Sequence, residues 1–250
     1  MRMLTLPQRL VVAADFKPDP TKDPRVAREE ARYSVLNLAD SLQGLGVWIK
    51  VNAVLRAVGY TLIEDLLARG VRVFGDLKLK DIKETLANDG AFLLGTNLGL
   101  LTAMCDAGEE GLKALQGAVP ETKVLGVTFL TSLTDADAKR IHGCDTAMEA
   151  VLQLAGIAKD AGLAGVVASA KEAAALREKV FGDSMLIVTP AIRPASLLVA
   201  GDDQNPERIM TPTKAIRAGA DILVVGRPIV QAKDPRDAVL RTLDEIASAL

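Results

Sequence analysis

The sequence predicts a (β/α)8 barrel, an α/β TIM-barrel fold, on three observations. Short apolar β-rich runs recur along the chain, each followed by a helical pattern, which is the signature of βα units around a parallel sheet. Eight such runs can be marked in 250 residues, the count and size of a closed barrel. The charges that interrupt them sit at their ends, where a barrel gathers functional residues on its C-terminal face. An open doubly wound sheet with the same elements is the alternative that pattern alone leaves standing.

Taken in order, the first run, 10–14, stays apolar until Asp15. A helix follows from Pro24 through Leu45, where Ala27, Ala31, Val35, Leu36 and Leu38 form one apolar stripe. The second run, 46–52, carries Val47, Trp48 and Ile49 before delivering Lys50. The third, 71–77, ends in Phe74-Gly-Asp76-Leu-Lys78-Leu-Lys-Asp81-Ile82. Side chains two apart on a strand share a face, so Asp76 and Lys78 emerge side by side, with Asp81 just beyond. Runs at 92–95, 124–130, 165–169, 186–190 and 222–226 complete the set. Asp234 as N-cap and Pro235 at the first helical position open the last helix. No linker, low-complexity tract or charge run divides the chain, so residues 1–250 are expected to form one domain.

Composition narrows the function. With 49% hydrophobic residues the chain can bury a substantial core, and 30 basic against 32 acidic residues leave no footprint for nucleic acid or an anionic membrane. The expected partner is therefore a small molecule. The segment from Met1 to Pro7 is too short and too soon broken for a signal sequence, and no apolar run approaches membrane length, so a cytoplasmic protein is expected. Cys105 and Cys144 lie far apart without a CxxC and read as free buried thiols. His142 is the one histidine, which excludes a multi-histidine metal site and reads as a loop residue. Chemistry falls to Lys, Asp, Arg and the backbone.

Three successive strands thus bring Asp15, Lys50 and the Asp76/Lys78 pair to one rim. An ammonium flanked by carboxylates stays protonated, a proton donor or charge clamp and not an amine nucleophile. In isolation Asp76 and Lys78 could equally be a structural ion pair, with Lys80 and Asp81 on a solvated turn. Their position at strand ends favours catalysis. On the other side, Val224-Val225-Gly226-Arg227-Pro228-Ile229 joins a glycine, a helix N-terminus and an arginine fork after the eighth strand, where barrels frequently bind phosphate. The polar loop 201–212 has the length of a lid or a surface insertion, and Gln204 within it could reach a ligand as donor and acceptor.

These residues together resemble the orotidine 5′-phosphate decarboxylase family. Asp76-Leu-Lys78-Leu-Lys-Asp81-Ile82-Lys-Glu-Thr85 is similar to its DxKxxDI signature. Asp15, Lys50, Val127-Thr128-Phe-Leu-Thr131-Ser132, Thr189-Pro190-Ala-Ile-Arg193-Pro194, Asp202-Asp203-Gln204 and Val225-Gly226-Arg227-Pro228-Ile229 follow in family order over nearly the whole chain. The resemblance implies a homodimeric decarboxylase of pyrimidine nucleotide synthesis that uses no cofactor or metal. It makes Lys50, Asp76 and Lys78 the charged array, completed by Asp81 from the partner subunit, with Lys78 protonating C6 of the pyrimidine. Asp15 and Thr85 would hold the ribose hydroxyls, Thr131 or Ser132 the base, and Gln204 and Arg227 the phosphate. Pro190 and Gly226 would line the substrate site, and Ile82 the pocket for the departing carboxylate. The chain departs from the pattern at Leu94-Gly95-Thr96-Asn97-Leu98, expected after strand 4, and at Ala191, where glycine is usual.

Three rivals remain. Magnesium-dependent sugar-phosphate decarboxylases and aldolases of related barrels resemble the chain in an Asp-x-Lys-x-x-Asp strand, although Ile82, Gln204 and Arg227 argue against them. A Schiff-base aldolase would need a neutral lysine, which flanking carboxylates disfavour. A barrel that binds a phosphate ligand without turnover would keep the charges as structure alone.

Overall fold

The computed structural model describes residues 4–197 and 210–250. The elements alternate as β1 (Leu10–Ala13), α1 (Pro24–Leu42), β2 (Trp48–Val51), α2 (Ala53–Val58), α3 (Thr61–Leu67), β3 (Arg72–Leu79), α4 (Lys83–Leu93) and β4 (Leu100–Met104). They continue as α5 (Glu109–Ala118), β5 (Lys123–Val127), α6 (Asp135–His142), α7 (Ala147–Asp160), β6 (Gly165–Val167), α8 (Ala170–Leu176), β7 (Leu186–Thr189), α9 (Pro212–Arg217), β8 (Ile222–Val225), α10 (Arg227–Val230) and α11 (Pro235–Ala247). All neighbouring strands pair in parallel in sequence order, and β8 closes on β1 through Val11↔Val224 and Val12↔Val225. The expected (β/α)8 barrel is present, and the open sheet is excluded.

Strand alternation divides the apolar residues into two cores. Val11, Ala13, Trp48, Phe74, Leu100, Leu125, Leu186, Val188, Ile222 and Val224 fill the barrel. The intervening residues, such as Val12, Ile49, Val73 and Leu101, face outward into the layer shared with the helices. Trp48 plugs the lower end, its indole N–H donating to the Gln8 carbonyl at 3.1 Å. Gly99 is required beside it, because a Cβ there would run into the indole ring.

The ends of the helices follow from capping. Asp23 accepts from the Arg25 N–H at the start of α1, and Asp234 from the Asp237 N–H at the start of α11, with Pro24 and Pro235 in the first turns. One strand expectation fails. Phe92 and Leu93 end α4 instead of opening the fourth strand, which is Leu100–Met104. Leu86, Gly90 and Leu93 are the buried face of α4, a spacing of four and three, while Phe92 is 76% exposed. The departure at Leu94–Leu98 therefore precedes β4 and is not the loop that follows it. His142, expected in a loop, is the last residue of α6, edge-on to Phe129 with ring centroids 5.7 Å apart. Both cysteines are free and buried, and burial pushes the Cys105 thiol up to about 12.

Candidate active site

The alternation that fills the barrel also builds its mouth. Two residues beyond the inward-facing Ala13, Trp48, Phe74 and Leu100 stand Asp15, Lys50, Asp76 and Thr102, the next layer on the same face. Lys50 and Asp76 are each 7% exposed and Thr102 fully buried, so their polar atoms must find one another.

They do. Lys50 Nζ lies 3.0 Å from Asp15 Oδ1 and 3.1 Å from Asp76 Oδ2. Lys78 Nζ lies 2.7 Å from Asp76 Oδ1, which also accepts from the Thr102 hydroxyl at 2.9 Å. The result is a continuous row Asp15–Lys50–Asp76–Lys78 with alternating charge. Burial alone would raise the Asp76 carboxyl, but the Lys50 and Lys78 ammoniums and the hydrogen bonds from Lys78 and Thr102 outweigh it and hold the group below the usual carboxylate range.

Lys78 reaches this position through an irregularity and not through plain alternation. The β3–β4 register runs Phe74↔Leu100 and Gly75↔Leu101, then resumes at Leu79↔Ala103. Four steps along β3 thus face two along β4. The surplus is absorbed as a bulge in which Lys78 takes a left-handed φ of 51°, a conformation that costs a non-glycine residue about 1 kcal/mol.

The row forms one wall of a cleft of about 520 Å³ at the C-terminal end of the barrel. Val127 at the end of β5, with Phe129 and Leu130 after it, forms an apolar side bordered by Thr131, and Pro190, Ala191, Arg193, Gly226 and Arg227 close the side after β7 and β8. Arg193 is 6% exposed and Lys17 also lines the cleft, so cations gather at the end where β8 meets β1. Such a cleft suits a ligand with an anionic group at the arginine end, a body with apolar surface and a second anionic or developing charge against Lys78. Ala191, at the glycine-preferring position, has φ 62°, the region where glycine alone is unstrained.

Asp15, Lys50, Asp76, Lys78, Thr131, Pro190, Gly226 and Arg227 all line the cleft as expected. Ser132 is exposed beside it without lining it. Asp81, Ile82 and Thr85 are not among the lining residues of this chain: the Asp81 carboxylate accepts from the Ile82 N–H at 2.8 Å, and Ile82 is 66% exposed. The acid–base–acid cluster expected of Asp76, Lys78 and Asp81 is thus replaced within one subunit by a row whose far acid is Asp15. The polypeptide turns out of the strand after Leu79, which carries Asp81 away, and Lys80 pairs with Asp106 at 2.6 Å. Gln204 lies outside the described residues.

Sequence reasoning missed Thr102, buried behind Asp76, and the cleft residue Lys17, and gave no role to Arg193 in the cleft wall. Thr102 stood in a stretch not recognised as a strand. Arg193 carried a signal, a charge inside an otherwise apolar and proline-flanked run, and Lys17 lies two residues beyond Asp15.

Residues 8–242 match the family model described as Orotidine 5'-phosphate decarboxylase / HUMPS family. The chain is 41% identical to an orotidine 5'-phosphate decarboxylase of Methylobacterium sp. (strain 4-46), with 98% of each chain covered. It is 39% identical to one from Halorhodospira halophila, over 97% of this chain and 98% of that one. Among solved structures, the orotidine 5'-phosphate decarboxylase of Lactobacillus acidophilus superposes with a TM-score of 0.72 at 29% identity, covering 96% of this chain and 99% of that one.

Proposed function

The chain belongs to the orotidine 5′-phosphate decarboxylase / HUMPS family and is a carboxy-lyase that converts orotidine 5′-phosphate to uridine 5′-phosphate and carbon dioxide, and on that premise we propose how its residues divide the work. Breaking the bond between C6 and the carboxylate leaves an electron pair on an sp² carbon. A fixed ammonium beside that carbon stabilises the pair as it develops and then supplies the proton that completes the product. Lys78 is that ammonium. The observation that carries the assignment is exposure: the Lys78 side chain is 36% exposed to the cleft and holds one carboxylate, whereas Lys50 is 9% exposed and is held between two.

Asp76 keeps Lys78 charged and aimed, and Lys50 ties Asp76 to Asp15. Asp15 and Thr85 hold the ribose hydroxyls, and Thr131, supported by its place in the cleft wall, recognises the base with Ser132 beside it. Arg227 with Gly226, and Gln204, hold the phosphate, Pro190 lines the site, and Ile82 borders the departing carboxylate. The reaction needs neither metal nor cofactor. Asp81, Ile82 and Thr85, which do not line the cleft of their own subunit, serve the cleft of a second copy in a homodimer. Residues 1–250 act as one catalytic domain in the cytoplasm.

The test is incubation of chelator-treated protein with orotidine 5′-phosphate, following loss of the orotate absorbance. Rapid conversion is expected. Binding without conversion would leave a ligand-binding barrel, and a requirement for magnesium with sugar phosphates would move the protein to the other branch of the family.

A further inference from the structure

We propose that Thr102 is a positioning residue for the decarboxylation, its single hydroxyl setting the Lys78 ammonium against the Asp76 carboxylate. The inference rests on the assignment of Lys78 as proton donor and adds the group that determines where Lys78 stands.

Thr102 projects from β4 into the gap left by the β3 bulge. Its Oγ1 accepts the Lys78 backbone N–H at 2.9 Å and donates to Asp76 Oδ1 at 2.9 Å. A hydroxyl has one proton to give, and here it goes to the carboxylate because an N–H already points at the oxygen. The same oxygen therefore grips the backbone of the proton donor and the side chain of the acid that holds it. In an unbroken ladder the Lys78 N–H would go to a β4 carbonyl; between Gly75↔Leu101 and Leu79↔Ala103 the register shift interrupts that pairing, and the hydroxyl takes the N–H.

The consequence for Asp76 is a carboxylate with each oxygen assigned. Oδ2 faces Lys50 at 3.1 Å, while Oδ1 is shared by Lys78 at 2.7 Å and Thr102 at 2.9 Å. Without the hydroxyl, Oδ1 keeps only Lys78, and the carboxylate can rotate toward either ammonium. Thr102 is fully buried, so bulk water does not replace the missing bond. The left-handed backbone at Lys78 also loses the hydrogen bond that holds it, and the ammonium at the end of a flexible stem departs from the reacting carbon. Binding of the phosphate and base, made by residues on other strands, should be untouched.

The experiment compares Thr102→Val, which keeps the shape and removes the hydroxyl, with Thr102→Ser, which keeps the hydroxyl and removes a methyl group. Steady-state kinetics with orotidine 5′-phosphate and affinity for uridine 5′-phosphate are measured on both. Thr102→Val is expected to lower kcat on the order of tenfold to a hundredfold, with KM and product affinity within about threefold of the parent. Thr102→Ser should restore kcat to within about threefold. A kcat for folded Thr102→Val within twofold of the parent would overturn the proposal, as would equal loss in both variants or a change confined to KM. Thr102→Ala makes the same comparison should the valine variant not fold. Failure of both to fold beside a folded serine variant would assign the hydroxyl to folding and also overturn it. If the parent itself does not turn over, the activity has failed. If the parent turns over and Lys78→Ala does too, the assignment of Lys78 has failed.

Discussion

Lys50 and Lys78 carry the same charge and touch the same carboxylate, yet their surroundings give them different work. Lys50 is enclosed between Asp15 and Asp76, so its removal would take the ammonium from Asp15 and from Oδ2 of the buried Asp76 at once. Lys78 stands partly open, and Asp76 keeps Lys50 and Thr102 when Lys78 is gone. Lys78→Ala should therefore fold with a melting temperature near that of the parent while turnover falls by at least about 10⁴-fold, since proton donor and charge stabilisation vanish together. Circular dichroism and a single-turnover assay separate the two outcomes; measurable normal turnover in the folded variant would sink the mechanism. Arg227→Ala probes the opposite end of the cleft. Loss of a charge-assisted contact to a remote anion should raise KM about tenfold to a hundredfold with a much smaller effect on kcat, and a kcat defect of equal size would place Arg227 in the chemistry instead. Most of this site is legible from residues alone because charges at the ends of apolar runs are costly unless used. The bulge that orients Lys78 is not legible, because it depends on the partner strand.

At the scale of elements, capping and register decide what the sequence reveals. Prolines and aspartates mark the starts of α1 and α11, since their preferences act within a few residues. The fourth strand is hidden for the complementary reason. A short apolar run such as Phe92–Leu94 fits a helix end or a strand, and only packing of Leu86, Gly90 and Leu93 decides for the helix. Missing β4 concealed Thr102 with it. Another local device has a measurable consequence: α8 opens with a capping box in which Glu172 Oε2 accepts from the Ser169 N–H at 2.8 Å, and burial raises the Glu172 carboxyl to about 7. The unfolded group titrates near 4.5, so between about 4.5 and 7 the folded state binds more protons than the unfolded state. Its contribution is fully present below the lower value and is lost as pH rises through the upper one. Glu172 should make stability fall on the order of 3 kcal/mol over that window and then level off. Chemical denaturation at several pH values should show a flatter profile for Glu172→Gln; an unchanged profile would remove the buried carboxyl as the cause.

The whole molecule raises the question of where the remaining predicted residues act. Asp81, Ile82 and Thr85 lie at or just before the start of α4; Ile82, its N-cap residue, is 66% exposed, and Phe92 and Leu94 at its far end are 76% and 60% exposed. One exposed apolar side chain is ordinary, but three of them on and flanking α4, beside the second carboxylate of the signature, suit a surface that meets another copy. The Asp81 charge is felt locally: burial first, then Asp81, raises the carboxyl of Asp89 within α4. No sequence pattern could separate action in cis from action in trans, because the residues are contiguous with Lys78 and differ only in which cleft they reach. Mixed dimers can. If Asp81 serves the neighbouring cleft, a dimer of one Lys78→Ala and one Asp81→Asn subunit contains one site with both wild-type residues and one with neither. Random assembly from equal amounts makes half the dimers mixed, so the mixture should recover about a quarter of parental activity per site from two inactive preparations. If Asp81 acts within its own subunit, every site in the mixed dimer lacks one residue and no activity returns. Unfolding the two variants together, refolding them, and isolating the mixed species through separate affinity tags makes the comparison direct, and recovery that rises with the fraction of mixed dimer would require the active unit to be two chains.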